Sequence, residues 1–243
     1  MRVPRIFHDS ELVEQTEIEL TPEASNHLVR VLRLTINAPL VIFNGKGQQY
    51  NAVIARVGKK SCQVVLSECI DQTVESPLIT HLAQGIARGD RMDFIIQKSV
   101  ELGVTTIIPM LTQFSEAHLT RERLAKRLHH WRQIAIHACE QCGRNTLPVI
   151  EEPRTFGEVL TDKNVTLKLI LHPHTQDLLP RLSLEPEKVT VMVGPEGGFS
   201  DIEIELALRH GFLAVSLGPR ILRMETAAIS ILTLVQHLWG DLG

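Results

Sequence analysis

Two short segments of this chain place glycines and charged residues where a strand gives way to a helix. The first, residues 194–200 with the sequence GPEGGFS, follows the apolar run KVTVMV. Gly197 and Gly198 carry no side chains, so the backbone there can approach a ligand closely, and Pro195 stiffens the loop. Loops at the carboxyl ends of strands commonly bind ligands in α/β proteins, which predicts a binding loop. A tight turn without a ligand is the alternative.

The patterns that this loop lacks narrow the kind of ligand. Its glycines follow neither the dinucleotide pattern G-x-G-x-x-G nor the P-loop pattern. The next helix opens with a capping box from Ser200 to Glu203 and a further acid at Glu205. Acids at a helix N-terminus repel phosphate. An adenosine with a cationic centre and no phosphate, which describes S-adenosylmethionine, suits a glycine loop beside Glu196, so we predict S-adenosylmethionine as the cofactor.

The second segment, residues 217–227 with the sequence LGPRILRMETA, has the same strand-to-helix arrangement. Arg223 and Glu225 stand two residues apart at the helix entrance, where their side chains can diverge from each other and reach into a cleft. This spacing makes both residues candidates for chemistry. An ordinary exposed charge pair at a helix start is the alternative.

The first seventy or so residues predict short strands and one helix. The strand-forming runs are TEIEL, PLVIF, QQYNAVIARV and SCQVVLSE, and glycine-containing turns separate several of them. Thr21 followed by Pro22 marks the helix start, and Leu28, Val31 and Leu32 are expected to form its apolar side. Several short strands around one helix predict a small β-barrel.

Beyond residue 73 the pattern changes to strands that alternate with longer helices. We therefore predict two domains, residues 1–73 and residues 74–243. Apolar strands with little alternation indicate a parallel sheet covered on both faces, so the fold class of the second domain is α/β. Asp90 is expected to cap one of its helices, which would end before Gly103, and Thr120 to open a long amphipathic helix.

The composition is that of an ordinary soluble globular protein, with 243 residues, 44% hydrophobic and 22% charged. The first residues form neither a signal peptide nor a membrane span, so we expect a cytoplasmic location. A net charge of −3 argues against non-specific coating of nucleic acid, which requires clustered Lys and Arg. Contact with nucleic acid would be local, through the basic residues of 27–33 or of 121–132. Solvated surface charge is the alternative for both clusters.

The four cysteines are too few and too scattered for a disulfide framework, so we expect four free thiols. Cys139 and Cys142 form a C-x-x-C pair, but no second pair of matching spacing lies nearby to complete a zinc site. We interpret the pair as packed helix residues and expect no metal. A metal or redox site is the alternative.

Taken together, GPEGGFS and LGPRILRMETA resemble the paired cofactor motifs of SPOUT methyltransferases. The segments MRVPRIF, NHLVRVLR, QKSVELGV, HACEQCGR and LHP are similar, in the same order, to segments of the bacterial 16S ribosomal RNA uridine-N3 methyltransferases. The resemblance extends over nearly the whole chain. Five separated segments are far more specific than one glycine loop.

The resemblance implies a PUA-like β-barrel followed by a SPOUT α/β domain that contains a parallel sheet and a deep trefoil knot. It also implies a homodimer, which the strongly apolar last helix, beginning near Met224, favours because a helix apolar nearly all round is buried on several sides. The positions matching the family's cofactor-binding residues are Leu171, His172, Gly194, Pro195, Glu196, Gly197, Gly198, Leu217, Gly218, Ile221, Leu222 and Arg223.

The activity implied by the resemblance is methyl transfer from S-adenosylmethionine to N3 of a uridine in 16S ribosomal RNA. N3 is a weakly acidic imide, so its proton must leave and the charge on the flanking carbonyl oxygens must be stabilised. We assign the carbonyl charge to Arg223, and proton relay or contact with the sulfonium to Glu225 or Glu196. Methylation of another RNA, such as transfer RNA, and a non-catalytic RNA-binding module are the alternatives.

The predicted RNA contacts are Arg2, Arg5, His27, Arg30, Arg33, Arg88 and Arg91. Arg30 and Arg33 are three residues apart, so a regular helix would place both on one side, facing the same phosphate track. Arg88 and Arg91 would assist them from the second domain. The expected partners are therefore 16S ribosomal RNA or the small ribosomal subunit and a second copy of the chain, with no membrane.

Overall fold

The structure is a computed structural model that describes residues 3–58, 61–115, 120–162, 167–175 and 185–243. Contacts between residues group the chain into two compact units. The first comprises Met1–Glu75 with Cys139–Leu147, and the second comprises Ser76–Ala138 with Pro148–Gly243. The sequence divides the chain once, after residue 73, and gives no sign that a later segment joins the first unit.

The first unit contains a five-stranded sheet with the strand order β1-β3-β4-β5-β2. Its strands are β1 (Arg5–Phe7), β2 (Glu17–Glu19), β3 (Pro39–Phe43), β4 (Gln49–Val57) and β5 (Cys62–Cys69). β1 runs parallel to β3, and the other pairs are antiparallel. Four of these strands are predicted from the sequence, whereas β1 is not. Closure of this sheet into a barrel stays a prediction.

One helix packs with this sheet and begins where the sequence predicts. α1 (Pro22–Asn26) follows Thr21, whose hydroxyl accepts a hydrogen bond from the backbone N–H of Ala24 at 3.2 Å. Pro22 occupies the first turn, where its missing N–H has no helical partner to lose. The buried core of the unit is formed by Ile6, Leu12, Leu20, Leu28, Leu40, Ile42, Tyr50, Ala52, Ile54, Cys62, Val64 and Leu66.

The predicted helix changes character after α1 and becomes a π-helical turn, His27–Val31. Its backbone closes with a hydrogen bond from the Leu32 N–H to the His27 carbonyl, an i→i+5 bond that widens the turn. Arg33 lies beyond this end, with a positive φ of 55°. The expectation that Arg30 and Arg33 share one helical side is therefore wrong, although both are exposed.

The widened turn also changes which apolar residues are buried. Leu28 is buried, but Val31 and Leu32 are exposed, so the predicted apolar side of this helix is correct only for Leu28. In a π-helical turn, residues three and four apart no longer lie above one another. The regular helical spacing on which that prediction rests does not hold here.

The segment Cys139–Leu147 belongs to the first unit through polar contacts that its residue types explain. The guanidinium of Arg144, almost wholly buried, donates to both carboxylate oxygens of Glu75. The side-chain amide of Asn145 donates to the carbonyls of Gly47 and Gln72, at 3.0 and 2.9 Å. A buried arginine requires such a bidentate partner. Arg144, the last residue of the HACEQCGR segment, thus has a structural role within this unit.

The second unit is built on a seven-stranded sheet in which every described pair is parallel. The strand order is β12-β10-β11-β6-β7-β8, with β9 also paired to β7. The strands are β6 (Ile79–Gly85), β7 (Thr106–Leu111), β8 (Val149–Ile150), β9 (Arg154–Thr155), β10 (Leu167–Leu171), β11 (Lys188–Val193) and β12 (Leu213–Val215). The predicted parallel α/β architecture is confirmed.

The helices described in the second unit, one of which leads out of it, are α2 (Arg91–Glu101), α3 (Arg121–Cys142), α4 (Phe156–Leu160), α5 (Asp201–Arg209) and α6 (Met224–Trp239). Asp90 precedes α2, but its side chain makes no capping bond because its own backbone is already helical, so the predicted Asp90 cap is wrong. Gly103 ends this helix region with a positive φ of 78°, as predicted. The capping box before α5 is confirmed at Ser200 and Glu203.

The cysteines are free thiols, as predicted. Burial raises the pKa of Cys139 to about 12, which keeps this thiol protonated and inert. Within the described residues, no cluster of three or more His, Cys, Asp or Glu side chains has the geometry for a metal ion. Nor does any described helix have the length and hydropathy to cross a membrane.

Candidate active site

Three loops at the carboxyl ends of neighbouring strands enclose a cavity of about 510 Å³, which we call the loop cavity. The loops follow β10, β11 and β12, which lie side by side in the order β11-β10-β12. The lining includes every residue predicted to bind the cofactor: Leu171, His172, Gly194, Pro195, Glu196, Gly197, Gly198, Leu217, Gly218, Ile221, Leu222 and Arg223. The parallel sheet therefore brings three segments that are distant in sequence to one place.

The glycine loop after β11 is shaped by close backbone contacts. The N–H of Gly198 donates to the carbonyl of Pro195 at 2.9 Å, and Gly198 has a positive φ of 71°, which suits glycine. The buried amide of Gln84 donates to the Gly194 carbonyl at 3.3 Å. A Cβ at Gly85 would lie 2.5 Å from the nitrogen of Pro195. The end of β6 thus fixes this loop, a role that the sequence did not reveal.

Gly197 is constrained by a neighbouring side chain, in addition to the predicted approach of a ligand. A Cβ at this position would lie 2.9 Å from the Cβ of Phe114. Phe114 is held there because the adjacent N–H of Gln113 donates to the Glu203 carboxylate at 2.9 Å. Glu203 also accepts from the N–H of Ser200 within the α5 capping box. The glycine loop, the loop after β7 and the start of α5 are therefore packed as one structure.

The start of α5 offers little to a phosphate group. The hydroxyl of Ser200 accepts from the N–H of Glu203, and the carboxylate of Glu203 lies at the same helix end. Asp201 adds a second negative charge in the first turn and lines the loop cavity. These acids complement the positive end of the helix dipole in place of a bound anion. The cavity therefore favours a ligand without phosphate.

A broader cleft of about 1060 Å³ adjoins the loop cavity, and we call it the aromatic cleft. The two share four lining residues, which are Arg91, Glu196, Gly197 and Glu225. The other residues lining the aromatic cleft are Arg88, Gly89, Asp90, Phe94 and Phe114. A ligand in the loop cavity and a second one in the aromatic cleft would meet at the four shared residues.

Glu196 is held in place at this junction. Its carboxylate accepts from the backbone N–H of Arg88 at 3.0 Å and from the Arg91 guanidinium at 2.9 Å. Burial alone would raise its pKa, but the hydrogen bonds from the backbone of Arg88, from its own backbone and from Arg91 lower that pKa overall. Glu196 therefore remains a carboxylate at neutral pH and is a poor proton acceptor.

His172 contributes a neutral imidazole to the loop cavity. Burial lowers its pKa, and the neighbouring His174 lowers it further, partly offset by Asp201. The two imidazole rings meet edge to face, with centroids 5.4 Å apart. At pH 7 the ring of His172 can therefore serve as a hydrogen-bond donor or acceptor without adding positive charge.

Arg223 and Glu225 stand at the entrance of α6, as predicted. Arg223 is the exposed residue preceding the helix, with extended backbone and no capping bond from its side chain. It lines the loop cavity but not the aromatic cleft, whereas half-buried Glu225 lines both. Within the described residues the Glu225 carboxylate has no hydrogen-bond partner. Of the three candidate catalytic residues, Glu225 is thus the one available to a ligand at the junction.

The structure separates the predicted RNA contacts into groups. Arg88 and Arg91 line the aromatic cleft, and His27, Arg30 and Arg33 are exposed on the first unit. The guanidinium of Arg5 donates to Gln49 and to the Arg144 carbonyl and lies over the ring of Phe43 within the same unit, so an RNA contact by Arg5 would compete with these contacts and stays a prediction. Arg2 lies outside the described residues.

Sequence reasoning missed several residues that line or shape the two cavities: Gln84, Gly85, Asp201, Phe94 and Phe114. Gly85, at the end of β6, could have indicated that another segment of backbone passes close to this strand. The two phenylalanines carry no motif. Only the fold brings them beside the glycine loop.

Comparisons with known proteins agree with this architecture. A family model described as an RNA methyltransferase domain matches residues 74–236, and one described as an RNA methyltransferase PUA domain matches residues 20–67. The expected PUA-like character of the N-terminal part is thereby confirmed. The chain is similar to ribosomal RNA small subunit methyltransferase E of Buchnera aphidicola from Acyrthosiphon pisum, with 35% identity over 99% of this chain and 95% of that protein.

Further relatives cover the full length. The ribosomal RNA small subunit methyltransferase E of Rickettsia conorii is 36% identical over 98% of this chain and 97% of its own. A methyltransferase of Legionella pneumophila, solved in complex with the bound cofactor SAM, has a TM-score of 0.96 and 43% identity, and covers 100% of both chains. The ribosomal RNA small subunit methyltransferase E of Neisseria gonorrhoeae, bound to S-adenosyl methionine, has a TM-score of 0.91 and 38% identity over 100% of both chains.

Proposed function

We propose that this chain, which belongs to the RNA methyltransferase family, transfers a methyl group from S-adenosylmethionine to N3 of a uridine in the RNA of the small ribosomal subunit. The observation that carries the proposal is the loop cavity, which gathers all the predicted cofactor-binding residues at the carboxyl ends of adjacent parallel strands. The full-length relatives named ribosomal RNA small subunit methyltransferase E support the choice of RNA.

The lining of the loop cavity fits S-adenosylmethionine. Its volume of about 510 Å³ falls in the range of about 300–1,000 Å³ for small-molecule sites. Apolar side chains such as Leu171, Leu217 and Ile221 would cover the flat adenine, and the glycine loop leaves its backbone accessible. Asp201 and Glu225 supply negative charge toward a cationic ligand. The acid-capped start of α5 disfavours a nucleotide phosphate such as that of ATP.

The residues at the junction suit the chemistry of an imide nitrogen. S-adenosylmethionine would supply an electrophilic methyl group, whose bonding electron pair stays with sulfur when the bond to N3 forms. We assign acceptance of the N3 proton to Glu225, which lines both cavities and has no partner among the described residues. Arg223 would stabilise negative charge on a uracil carbonyl. Glu196 would orient Arg91 and the loop rather than take a proton.

The first unit would bind RNA by contacting the phosphates of the RNA backbone. His27, Arg30 and Arg33 are exposed around the π-helical turn, beside the exposed apolar Val31 and Leu32. Arginines placed in this way contact phosphates and fix the position of the RNA without reading its sequence. Arg88 would add a contact in the second unit. Arg5 is not part of this proposed surface.

We also propose a homodimer, a trefoil knot in the second domain and a cytoplasmic location, all on the strength of the family resemblance. For the dimer, α6 offers limited support, because Ala228, Ile231, Leu232 and Val235 are already in the core of their own chain. Partly exposed Ile229 and Leu234 remain for a partner. Sedimentation at micromolar concentration measures the state directly, and a monomer would contradict the dimer.

Incubation with labelled S-adenosylmethionine tests the proposed function. The acceptors are small ribosomal subunits from cells that lack this enzyme, with transfer RNA in a parallel reaction. Label in the RNA of the small subunit is the expected result. Label only in transfer RNA would show that transfer RNA is the substrate. No label with either acceptor would favour the alternative of a non-catalytic RNA-binding module.

A further inference from the structure

We propose that the aromatic cleft receives the acceptor base, which stacks on Phe94 and Phe114. The inference rests on the proposed function and deepens it by assigning the acceptor site to residues that the motifs do not contain. The cleft adjoins the loop cavity through four shared residues, so a base bound there would lie beside the methyl donor. Phe94 and Phe114 would be substrate-binding residues.

Phe94 and Phe114 are unusually exposed for phenylalanines in this protein. All seven phenylalanines lie within the described residues, and Phe94 and Phe114 are the two among them that are exposed, by 44% and 47%. Both line the same cleft. Single exposed apolar residues are common on protein surfaces and need no explanation. Two aromatic rings at one concave site next to a catalytic junction are a different case, because they form a surface that attracts flat rings.

Contacts within the second unit hold both rings in position. Phe94 lies in the first turn of α2, three residues after Arg91, so the two side chains are neighbours on one exposed helical side. Phe114 packs against the backbone of Gly197 and follows Gln113, which is tied to Glu203. A stacking site requires this kind of rigid support.

The charges around the cleft suit a ribonucleotide. Uracil stacks on an aromatic ring because every base has a π-face, and its edge atoms stay open to polar groups. Arg88 and Arg91 line the cleft and would meet phosphate or carbonyl oxygens of the same nucleotide. Glu225 lies at the junction with the loop cavity, where an imide N–H would need a proton acceptor. The cleft thus combines a stacking surface with two arginines, of which Arg91 pairs with Glu196, and with the further carboxylates of Asp90 and Glu225.

A set of substitutions at Phe94 tests stacking against simple packing. Phe94→Ala removes the ring, Phe94→Leu keeps apolar volume without an aromatic face, and Phe94→Tyr keeps the face. We expect Phe94→Ala to lower kcat/KM for small subunits by about 5- to 150-fold, the range typical of a lost base–aromatic stack. Phe94→Leu should show most of this loss in kcat/KM, whereas the kcat/KM of Phe94→Tyr should stay near that of the wild type.

The affinity for S-adenosylmethionine, measured by calorimetry, should be unchanged in all three variants. Phe114→Ala should lower kcat/KM as well, but Phe114 also packs on Gly197, so Phe94 gives the cleaner result. Val149→Ala serves as the matched control, because Val149 is similarly exposed on the same unit and lines neither cavity.

A second measurement locates the base without requiring turnover. An RNA oligonucleotide with 5-iodouridine at the acceptor position, irradiated in the presence of S-adenosylhomocysteine, should crosslink to the peptide containing Phe94 or Phe114. Wild-type rates in both Phe94→Ala and Phe114→Ala, or equal rates in Phe94→Leu and wild type, would overturn the stacking site. A wild-type protein that methylates no RNA would overturn the proposed function and this inference with it.

Discussion

The three candidate catalytic side chains differ in how many hydrogen bonds they make to other described residues. Glu196 accepts hydrogen bonds from Arg88 and Arg91, and these bonds keep its pKa low. Glu225 has no such partner among the described residues, and Arg223 makes no capping bond at the helix start. Among the described residues, the fold thus anchors the Glu196 carboxylate, whereas neither the Glu225 carboxylate nor the Arg223 guanidinium makes a hydrogen bond.

Arg223 is predicted to act in the transition state. As N3 loses its proton, charge spreads onto the neighbouring carbonyl oxygens, and a fixed guanidinium binds that charge more strongly than the neutral base. Arg223→Lys should lower the single-turnover rate because it loses the planar fork. Arg223→Ala should lower the rate further, by about 100- to 1,000-fold. The affinity for S-adenosylmethionine should change little in either variant.

Single-turnover rates at saturating RNA separate this role from phosphate binding, because saturation restores a loss of affinity but not a loss of transition-state stabilisation. Arg209→Ala is a suitable control, since Arg209 is exposed, pairs with Glu205 and lines neither cavity. A wild-type rate for Arg223→Ala under saturation would show the catalytic assignment to be wrong.

Gly197 is predicted to tolerate no side chain. The new Cβ of Gly197→Ala would lie 2.9 Å from the Cβ of Phe114, so the glycine loop or the loop after β7 must move. Overpacking of this kind typically costs about 1–3 kcal/mol of free energy. Because the cofactor binds the native form of this loop, the same cost should weaken the affinity for S-adenosylmethionine by about 5- to 150-fold. Gly197→Val should lose binding altogether.

Calorimetry with S-adenosylmethionine measures this effect, and Gly157→Ala is its control. A Cβ at Gly157, in α4, would meet no atom within 4 Å, so this substitution should leave the affinity unchanged. Unaltered binding by Gly197→Ala would show that the packing between the glycine loop and Phe114 does not matter for the cofactor.

At the scale of elements, the sequence predicts most of the helices and strands but only part of the site. The apolar run KVTVMV and the capping box at Ser200 are short-range signals, and the structure confirms them as β11 and the start of α5. The motif residues gather in one cavity because carboxyl ends of parallel strands meet at one edge. The sequence therefore indicated both loops that border the loop cavity after β11 and β12.

Other features depend on contacts between distant residues and left no local signal. The i→i+5 bond at His27–Val31 breaks a pattern that fits a regular helix. Phe94 and Phe114 come to line one cleft with the glycine loop only in the folded sheet, where β6 lies between β11 and β7. Arg5 resembles a surface arginine in sequence, but Gln49 and Phe43 hold it within its unit.

The strand β6 carries a histidine that should make stability depend on pH. Burial lowers the pKa of His81 to about 4, with Lys188 and Arg154 contributing and Asp162 opposing. The unfolded chain, with the ordinary pKa of 6.5, binds the proton first as pH falls. The free energy of unfolding should therefore be fully retained above pH 6.5 and decrease between pH 6.5 and about 4.

Urea unfolding at pH 7 and at pH 5 measures this dependence, with each pKa unit worth at most about 1.4 kcal/mol. His81→Leu removes the titrating group and should reduce the difference between the two pH values. An equal difference in the variant and the wild type would show that other groups cause the acid sensitivity.

At the scale of the whole molecule, the proposed function requires the first unit to hold RNA while the second carries out the chemistry. Replacing Arg30 and Arg33 with Ala should weaken RNA binding and make it less dependent on salt, because two phosphate contacts are lost. The affinity for S-adenosylmethionine should not change. The matched control replaces Arg123 and Lys126, two exposed basic residues of α3, with Ala. If only the control variant loses RNA binding, the RNA-binding surface lies on α3 and not around Arg30 and Arg33.

The identity of the methylated nucleoside tests the central claim most directly. Small subunits lacking the modification are incubated with the protein and S-adenosylmethionine, and the ribosomal RNA is digested to nucleosides for mass spectrometry against standards. The proposed function predicts a gain of 3-methyluridine, approaching one per subunit, and no gain with Arg223→Ala on the same timescale. A gain of 5-methyluridine or of a 2′-O-methyl nucleoside instead, or no gain at all, would contradict it.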